Sequence, residues 1–479
     1  MTKLLRFRMD GLRQRWRDKK CQLIPVKPVQ LNLPEKCIYM YNVPMENVSG
    51  IKTLLRALRS RNFRLFVTGQ SVSLIGTWMQ SVAMSWLVYR LTGSAFLLGV
   101  VGFTSQIPTF LISPVAGVLA DRWNRHHLLI ATQALAMLQS AILAAAVLHG
   151  VIQVWHIIAL SLLLGVVNAL DIPIRQSFLI EMVSKREDLS NAIALNSSIF
   201  QAASLIGPAI AGLLVASVGE GVCFILNSVS YLAVLLALVA MKLDPSPHHD
   251  KPQRHVLHEL REGFSYAFKV GPIRSILLLV ALTSLTGIPY TILIPVFAKE
   301  ILHGGAHTFG FLMTAGGCGA LVATLYLASR NSVLGLGKLI VLAGFLFALG
   351  VASFAVSNNI TISFASLAVA GFGSITMIAS CNTILQTILE EHMRGRVMSF
   401  FAVAFLGMAP FGSFGAGTMS GIIGPRETLL IGAVCCLGST LLFSRQLPRI
   451  RESVRPIYIK MGIIREVAEG METAAEQPL

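Results

Sequence analysis

Apolar runs of membrane-crossing length recur along the chain, divided by short polar turns. They lie near 64–90, 94–120, 128–149, 154–177, 190–217, 221–241, 273–298, 306–329, 337–356, 360–388, 397–423 and 427–444. A hydrocarbon core about 30 Å thick takes about 20 helical residues, and helices satisfy their own backbone hydrogen bonds in lipid. The pattern therefore predicts an all-α membrane protein with twelve transmembrane helices. The runs fall into two sets of six, so the chain reads as a duplicated unit: one bundle over 62–242 and a second over 273–446. Gly207-Pro208-Ala209-Ile210-Ala211-Gly212 in the fifth run has a counterpart in Gly412-Ser413-Phe414-Gly415-Ala416-Gly417 in the eleventh. Gly207, Pro208, Gly212, Gly412 and Gly417 are expected at helix–helix crossings, where small residues let backbones approach.

Polar segments frame the two bundles. Residues 243–272 open on Asp244-Pro245-Ser246-Pro247 and continue as an amphipathic helix with Leu257, Leu260, Phe264 and Phe268 on one face, the expected linker. Residues 1–61 hold 14 Lys and Arg against 4 acids and no sustained apolar run, so no cleavable signal peptide is expected. Ile51, Leu54, Leu55 and Leu58, flanked by Lys52, Arg56 and Arg59, predict a short helix lying on an anionic membrane surface. Met45 stands just before it, so residues 1–44 read either as a translational extension or as an artefact of start-site choice. Residues 447–479 are expected to be a second tail.

The chain is 54% hydrophobic and 13% charged, with mean hydropathy +0.68. Its net charge of +16 changes meaning once the charges are placed. Of the 39 Lys and Arg, all but Arg90, Lys299 and Arg426 fall on one side of the predicted membrane or at its boundary. That bias puts both termini in the cytoplasm and makes the basic balance a topology signal; no nucleic-acid partner is expected. The seven cysteines are odd in number and form no CxxC pair, which indicates neither a zinc site nor a disulfide framework. His248, His249, His255 and His258 read as part of a solvated linker, and His156 as an interfacial histidine. No metal or cofactor is expected.

Polar residues inside the runs recur at helical spacing, as on helices facing water. The first run shows Gln70, Ser73, Thr77 and Gln80, and the fourth Ser161, Gly165, Asn168 and Asp171. The seventh shows Thr283, Thr286 and Tyr290, and the tenth Thr376, Ser380, Thr383 and Gln386. Interhelical hydrogen bonding accounts for any one stripe; four together point to a central cavity. Asp171 is the one carboxylate placed within a run, and an intramembrane acid is a functional candidate by default.

The loop between the second and third runs, Gly117-Val118-Leu119-Ala120-Asp121-Arg122-Trp123-Asn124-Arg125, resembles the signature loop of the major facilitator superfamily. Arg122 and Arg125 suit anchoring of the loop to inner-leaflet phosphates or to carboxylates on adjacent helices, and the resemblance implies that Asp121 and Arg125 belong to a charge cluster closing the cytoplasmic gate. The second half carries Arg330 where Asp121 would recur, and so lacks the motif. Gly69-Gln70, Ser73, Gly76, Trp78, Gln80, Trp86 and Leu91-Thr92-Gly93-Ser94, then Asp171-Ile172-Pro173-Ile174-Arg175, Asn191-Ala192 and Gly207-Pro208 resemble the enterobactin-exporter-like (DHA3) branch. This likeness covers most of 62–446. It implies export of small amphipathic drugs or siderophore-like molecules across the cytoplasmic membrane by alternating access, in exchange for protons. Ser161 falls where many drug–proton antiporters carry an arginine, a departure from that scheme. Asp171 is open to two roles, completing the gate with Arg125 or Arg175, or carrying the coupling proton. An importer of a neutral or cationic metabolite is the first rival, a membrane enzyme the second and a sensor the third. A monomer in the bilayer suffices for all of this.

Overall fold

The computed structural model describes the backbone of residues 56–122, 124–183, 185–241, 264–330 and 332–460, with side chains except at 113–122, 186, 391–392, 457 and 460. Six helices form the first bundle: α1 (Arg61–Thr92), α2 (Ala95–Arg122), α3 (Arg125–Leu148), α4 (Val154–Met182), α5 (Leu189–Val218) and α6 (Glu220–Val239). The second bundle holds α7 (Gly271–Thr286), α8 (Tyr290–Val296), α9 (Ala306–Ala328), α10 (Leu336–Val356), α11 (Ile360–Ile388), α12 (Glu391–Ala402), α13 (Ala409–Ile423) and α14 (Pro425–Lys460). Among the described residues eleven helical stretches are long and apolar enough to cross a bilayer. They count α7–α8 and α12–α13 as one each; α1, of 32 residues, is the twelfth crossing.

Local chemistry sets where these helices stop and bend. Gly93 takes a left-handed φ of 60° and returns its N–H to the Tyr89 carbonyl, ending α1. Asn124 and Asn359 cap α3 and α11, each side chain accepting from two first-turn amides. The seventh crossing breaks at Gly287–Pro289 and ends in a π-turn, Phe297–Ile301, and the eleventh carries a π-turn over Val403–Gly407. Such turns insert a residue into the helix ladder and re-aim the side chains beyond it.

Two parts depart from expectation. The twelfth helix does not stop near 444 but runs on to Lys460, burying Ile450 and Val454 against the second bundle. The tail helix expected on the membrane surface is, over its described part, a short 3-10 turn, Arg56–Arg59, docked on protein. Ala57 is fully buried and its N–H donates to Asn191 Oδ1 at 3.0 Å. Ser60 Oγ donates to the Met182 carbonyl at 2.9 Å. Arg56 pairs with Asp188 and, at 3.3 Å, with Glu187, and its hydrogen bond to Asp188 raises the guanidinium above its ordinary value. Ile51, Leu54, Leu55 and most of the linker, including Leu257, Leu260 and its four histidines, lie outside the described residues. Phe264 and Phe268 stack at 4.4 Å in the linker's last helical turn.

Hydrophobic packing divides unevenly between the two ends. We call the end where α1 begins and α14 ends the basic end, and its opposite the far end. Toward the far end one continuous core draws on both bundles, from Trp86, Tyr89, Leu98 and Val215 to Leu293, Phe309, Phe354 and Leu429. Toward the basic end the core splits. Phe63, Phe66, Phe178 and Leu238 form one cluster inside the first bundle, while Ile276, Leu339, Ile384 and Phe443 form another inside the second. The bundles are joined at the far end and separately cored at the basic end.

Candidate functional site

Small residues bring the bundles together at the far end. Helix α2 crosses α13, and α5 crosses α9. At the first crossing Gly99 meets Gly417: a Cβ built on Gly417 would lie 2.7 Å from Gly99 Cα and 2.8 Å from the Ala95 carbonyl oxygen. At the second, a Cβ on Gly212 would lie 2.9 Å from Gly310 Cα, and one on Gly310 2.5 Å from the Pro208 carbonyl oxygen. Gly207 packs within the first bundle against Trp78, and Gly412 within the second against Leu285 and Pro289. Of the predicted packing glycines, Gly212 and Gly417 thus sit between the bundles. Their partners Gly99 and Gly310 were not singled out from sequence, although they occupy corresponding places in the two halves.

Aromatic rings extend the seal. Trp86 stacks on Phe309 at 6.2 Å. Phe96, Phe103 and Phe110 on α2 meet Phe414 and Phe411 on α13 at 5.7–6.0 Å. The buried Tyr89 hydroxyl donates to Glu300 of the other bundle, and Lys299 Nζ lies 5.4 Å above the Tyr89 ring. Glu300 is exposed, so Tyr89→Phe deletes the contact without stranding the carboxylate. A hydrogen bond to a charged group contributes about 1.5–3 kcal/mol, which is roughly a tenfold to hundredfold population shift at 1.4 kcal/mol per decade. Tyr89→Phe or Glu300→Gln is therefore expected to open the far end. A cysteine replacing Ser413, which is 3% exposed, should then label faster with an impermeant maleimide applied from that side.

The first bundle holds a buried polar network that accounts for much of the sequence stripe. Gln80 Nε2 donates to Gln139 Oε1 at 2.9 Å, and Gln80 Oε1 accepts from Asn227 Nδ2 at 2.7 Å. Ser140 Oγ lies 2.6 Å from the same oxygen and 2.8 Å from the Phe224 carbonyl. Nearer the basic end, Asp171 Oδ1 accepts from Thr132 Oγ1 at 2.9 Å and Gln133 Nε2 at 2.7 Å, and Arg175 Nε stands 3.5 Å from Oδ2. Thr77 Oγ1 sits 3.4 Å from the Tyr231 hydroxyl. Arg125 pairs with Glu181 on α4 at 2.6 Å. Gly117, Asp121 and Arg122 end α2, where the side chains lie outside the described residues.

Cavity candidates separate on burial. Gln70, Ser73, Gln80, Thr283, Thr376 and Ser380 are 4% exposed or less, so the structure packs them between helices instead of facing them to water. Gln80 is the most fully engaged of them, since both ends of its amide are used. Tyr290 packs edge-on to Phe347, and Thr286 Oγ1 donates to the Leu282 carbonyl with Cys436 Sγ 3.7 Å away. Thr77 and Asn168 are half-buried, while Thr383 and Gln386 are exposed on α11. His156 Nδ1 accepts from Gln153 N–H at 3.1 Å, closing the start of α4.

Known proteins agree with this architecture. The chain matches the transmembrane secretion effector family over residues 52–458. It is 26% identical to the staphyloferrin A transporter of Staphylococcus aureus, covering 79% of this chain and 95% of that one. It is 24% identical to the multidrug efflux pump Tap of Mycobacterium tuberculosis, covering 79% and 91%. Macrolide efflux protein A of Streptococcus pyogenes is 23% identical over 49% of this chain and 58% of its own. Among solved structures, a bacterial homologue of the lysosomal transporter Spinster in an inward-facing conformation superposes with a TM-score of 0.63 at 13% identity, covering 82% and 98%. A bacterial homologue of the iron transporter ferroportin gives 0.62 at 16%, covering 81% and 98%. With two six-helix bundles meeting at paired glycines and this match along most of its length, the chain belongs to the transmembrane secretion effectors of the major facilitator superfamily and is a multi-span membrane transporter of the DHA3-like branch.

Proposed function

We propose that the protein exports small amphipathic compounds, drugs or siderophore-like molecules, across the cytoplasmic membrane in exchange for protons. The basic end is cytoplasmic in this reading, following the positive-inside bias. The split core at that end supports a cavity open to the cytoplasm, with the far-end core as the closed extracytoplasmic gate. Rocking the bundles about this site would exchange the two openings.

The observation that carries the substrate class is the charge-free middle. Among the described residues, no Asp, Glu, Lys or Arg stands between the level of Asp171 and the far-end ring of Arg90, Glu220, Lys299 and Glu300. A multiply charged solute would meet no fixed countercharge there. Asn168, Thr383 and Gln386 provide uncharged hydrogen-bonding groups, and the exposure of Thr383 and Gln386 supports contact with water in the open cavity. Efflux relatives support the outward direction. Asp171 takes the gate-side role: held by Thr132, Gln133 and Arg175, it fixes α3 to α4 beneath the signature loop.

Purified protein in liposomes enclosing a pH-sensitive dye tests the coupling. With protein inserted, addition of a macrolide or cationic dye should move protons against the solute; no solute-dependent pH change, with transport of the same solute still measurable, would overturn proton exchange. Asp121→Asn is expected to depress transport about tenfold at normal membrane abundance, the loss of a charged gate contact of about 1.5 kcal/mol or more. Wild-type flux from that variant would remove Asp121 from the gate.

A further inference from the structure

A cleft at the basic end of the second bundle lies outside the transport route. It is an open groove of about 430 Å³ between the start of α10 and the last turns of α14, lined by Lys338, Ser444, Leu447, Arg451, Glu452 and Arg455 among others. The helices cross tightly just beside it: a Cβ on Gly337 would come within 2.6 Å of Leu447 Cδ1. None of Lys338, Arg451 and Arg455 pairs with a carboxylate among the described residues, in contrast to Arg56, Arg125 and Arg175. Glu452 is the single acid in the lining.

A second feature points the same way. Helix α10 begins less than a turn from Lys338 with Gly335 as N-cap, at φ 82°, and so has no side-chain cap; the Leu336 N–H donates to the Val333 carbonyl. The helix dipole favours an anion near such an end. The membrane side of the cleft is apolar. Lys338 and Leu342 lie one turn apart on α10, and Leu441, Ser444, Pro448, Arg451 and Arg455 follow steps of three and four along α14, which puts each set on one helix face. Leu342, Leu441 and Leu442 are 56%, 45% and 56% exposed. Cations below, an open apolar strip above: this is the polarity of a phospholipid.

We infer that the α10–α14 cleft seats the phosphate of an anionic phospholipid, with its acyl chains along Leu342 and Leu441. A free phosphate would use the cations and leave the apolar strip idle. The seat ties the extension of α14 to the bundle through a lipid, independently of what the transporter carries.

Native mass spectrometry of the full chain in detergent tests this, with dioleoyl-phosphatidylglycerol and dioleoyl-phosphatidylcholine as probes. Surface cations contribute about 1 kcal/mol each toward anionic lipid. Removing three should therefore weaken retention roughly a hundredfold at 1.4 kcal/mol per decade. The wild type and a control carrying Arg59→Gln, Arg64→Gln and Lys269→Gln should retain phosphatidylglycerol in preference to phosphatidylcholine. The Lys338→Gln, Arg451→Gln, Arg455→Gln variant should lose it. Equal retention by both triples overturns the site, and displacement by excess inorganic phosphate overturns the lipid as occupant. A photoactivatable phosphatidylglycerol on the wild type needs no variant to fold: cross-links should map to 336–345 and 441–455, and cross-links confined elsewhere overturn the proposal.

Discussion

Gly212→Val and Gly417→Val are each expected to lower transport about tenfold or more while the protein remains at normal abundance in the membrane, because overpacking costs about 1–3 kcal/mol in one conformation only. The valine methyls would enter space now held by Gly310 Cα at one crossing and by Gly99 Cα and the Ala95 carbonyl at the other. Both obstacles are backbone, so no rotamer change relieves them. Under the proposed rocking of the bundles the far ends would part and the clash would disappear, so the population would shift toward the state open at that end. Flux per molecule measures the loss, and faster labelling of a cysteine at Ser413 from the far side identifies its cause. Gly207→Val makes a useful contrast. Its clash, with Trp78 Cβ and the Ile75 carbonyl, lies inside one bundle and should reduce abundance and flux together.

Asp171→Leu is expected to fail to accumulate in the membrane, and Asp171→Asn to accumulate. Asp171 is 5% exposed and receives two side-chain hydrogen bonds beside an arginine. Leucine removes every acceptor at once, stranding Arg175 and the Gln133 amide. Leaving a buried donor such as the Gln133 amide unpaired costs about 1–3 kcal/mol, and the partly exposed Arg175 loses its partner as well, against the 5–15 kcal/mol by which a domain is typically stable. Asparagine keeps an oxygen for Thr132 and Gln133 and gives up only the charge toward Arg175. Thermal unfolding in detergent should place Asp171→Asn close to wild type and Asp171→Leu well below. Equal stability of the two would show that the network does not hold α3 to α4.

The crossings were legible because bilayer thickness imposes one length on every apolar run. Eleven of them satisfy length and hydropathy together, and the first does so by length. What the stripe on that first helix meant was not legible. A period of three to four residues says that Gln70, Ser73, Thr77 and Gln80 share a face, and nothing about what covers it. In the structure Gln139, Ser140 and Asn227 cover Gln80, and Tyr231 approaches Thr77. Those partners sit on α3 and α6, which carry polar residues of their own at helical spacing, and which of them meet depends on packing. Asn227 and Tyr231 stand four apart on α6, a signal that could have been read. The paired glycines were half visible for the same reason: Gly212 and Gly417 stood out in a local motif, while Gly99 and Gly310 became significant only when the bundles came together. The turn before α1 differs from expectation because Arg56 suits a lipid surface as well as it suits Asp188 and Glu187.

The most direct test of export is accumulation of fluorescent cationic dyes and siderophores in cells stripped of their own efflux pumps, with and without this protein, before and after a protonophore. Proton-driven export predicts lower accumulation of at least one amphipathic compound when the protein is present, restored to the control level by the protonophore. Higher accumulation, or lower accumulation that a protonophore leaves unchanged, would contradict it.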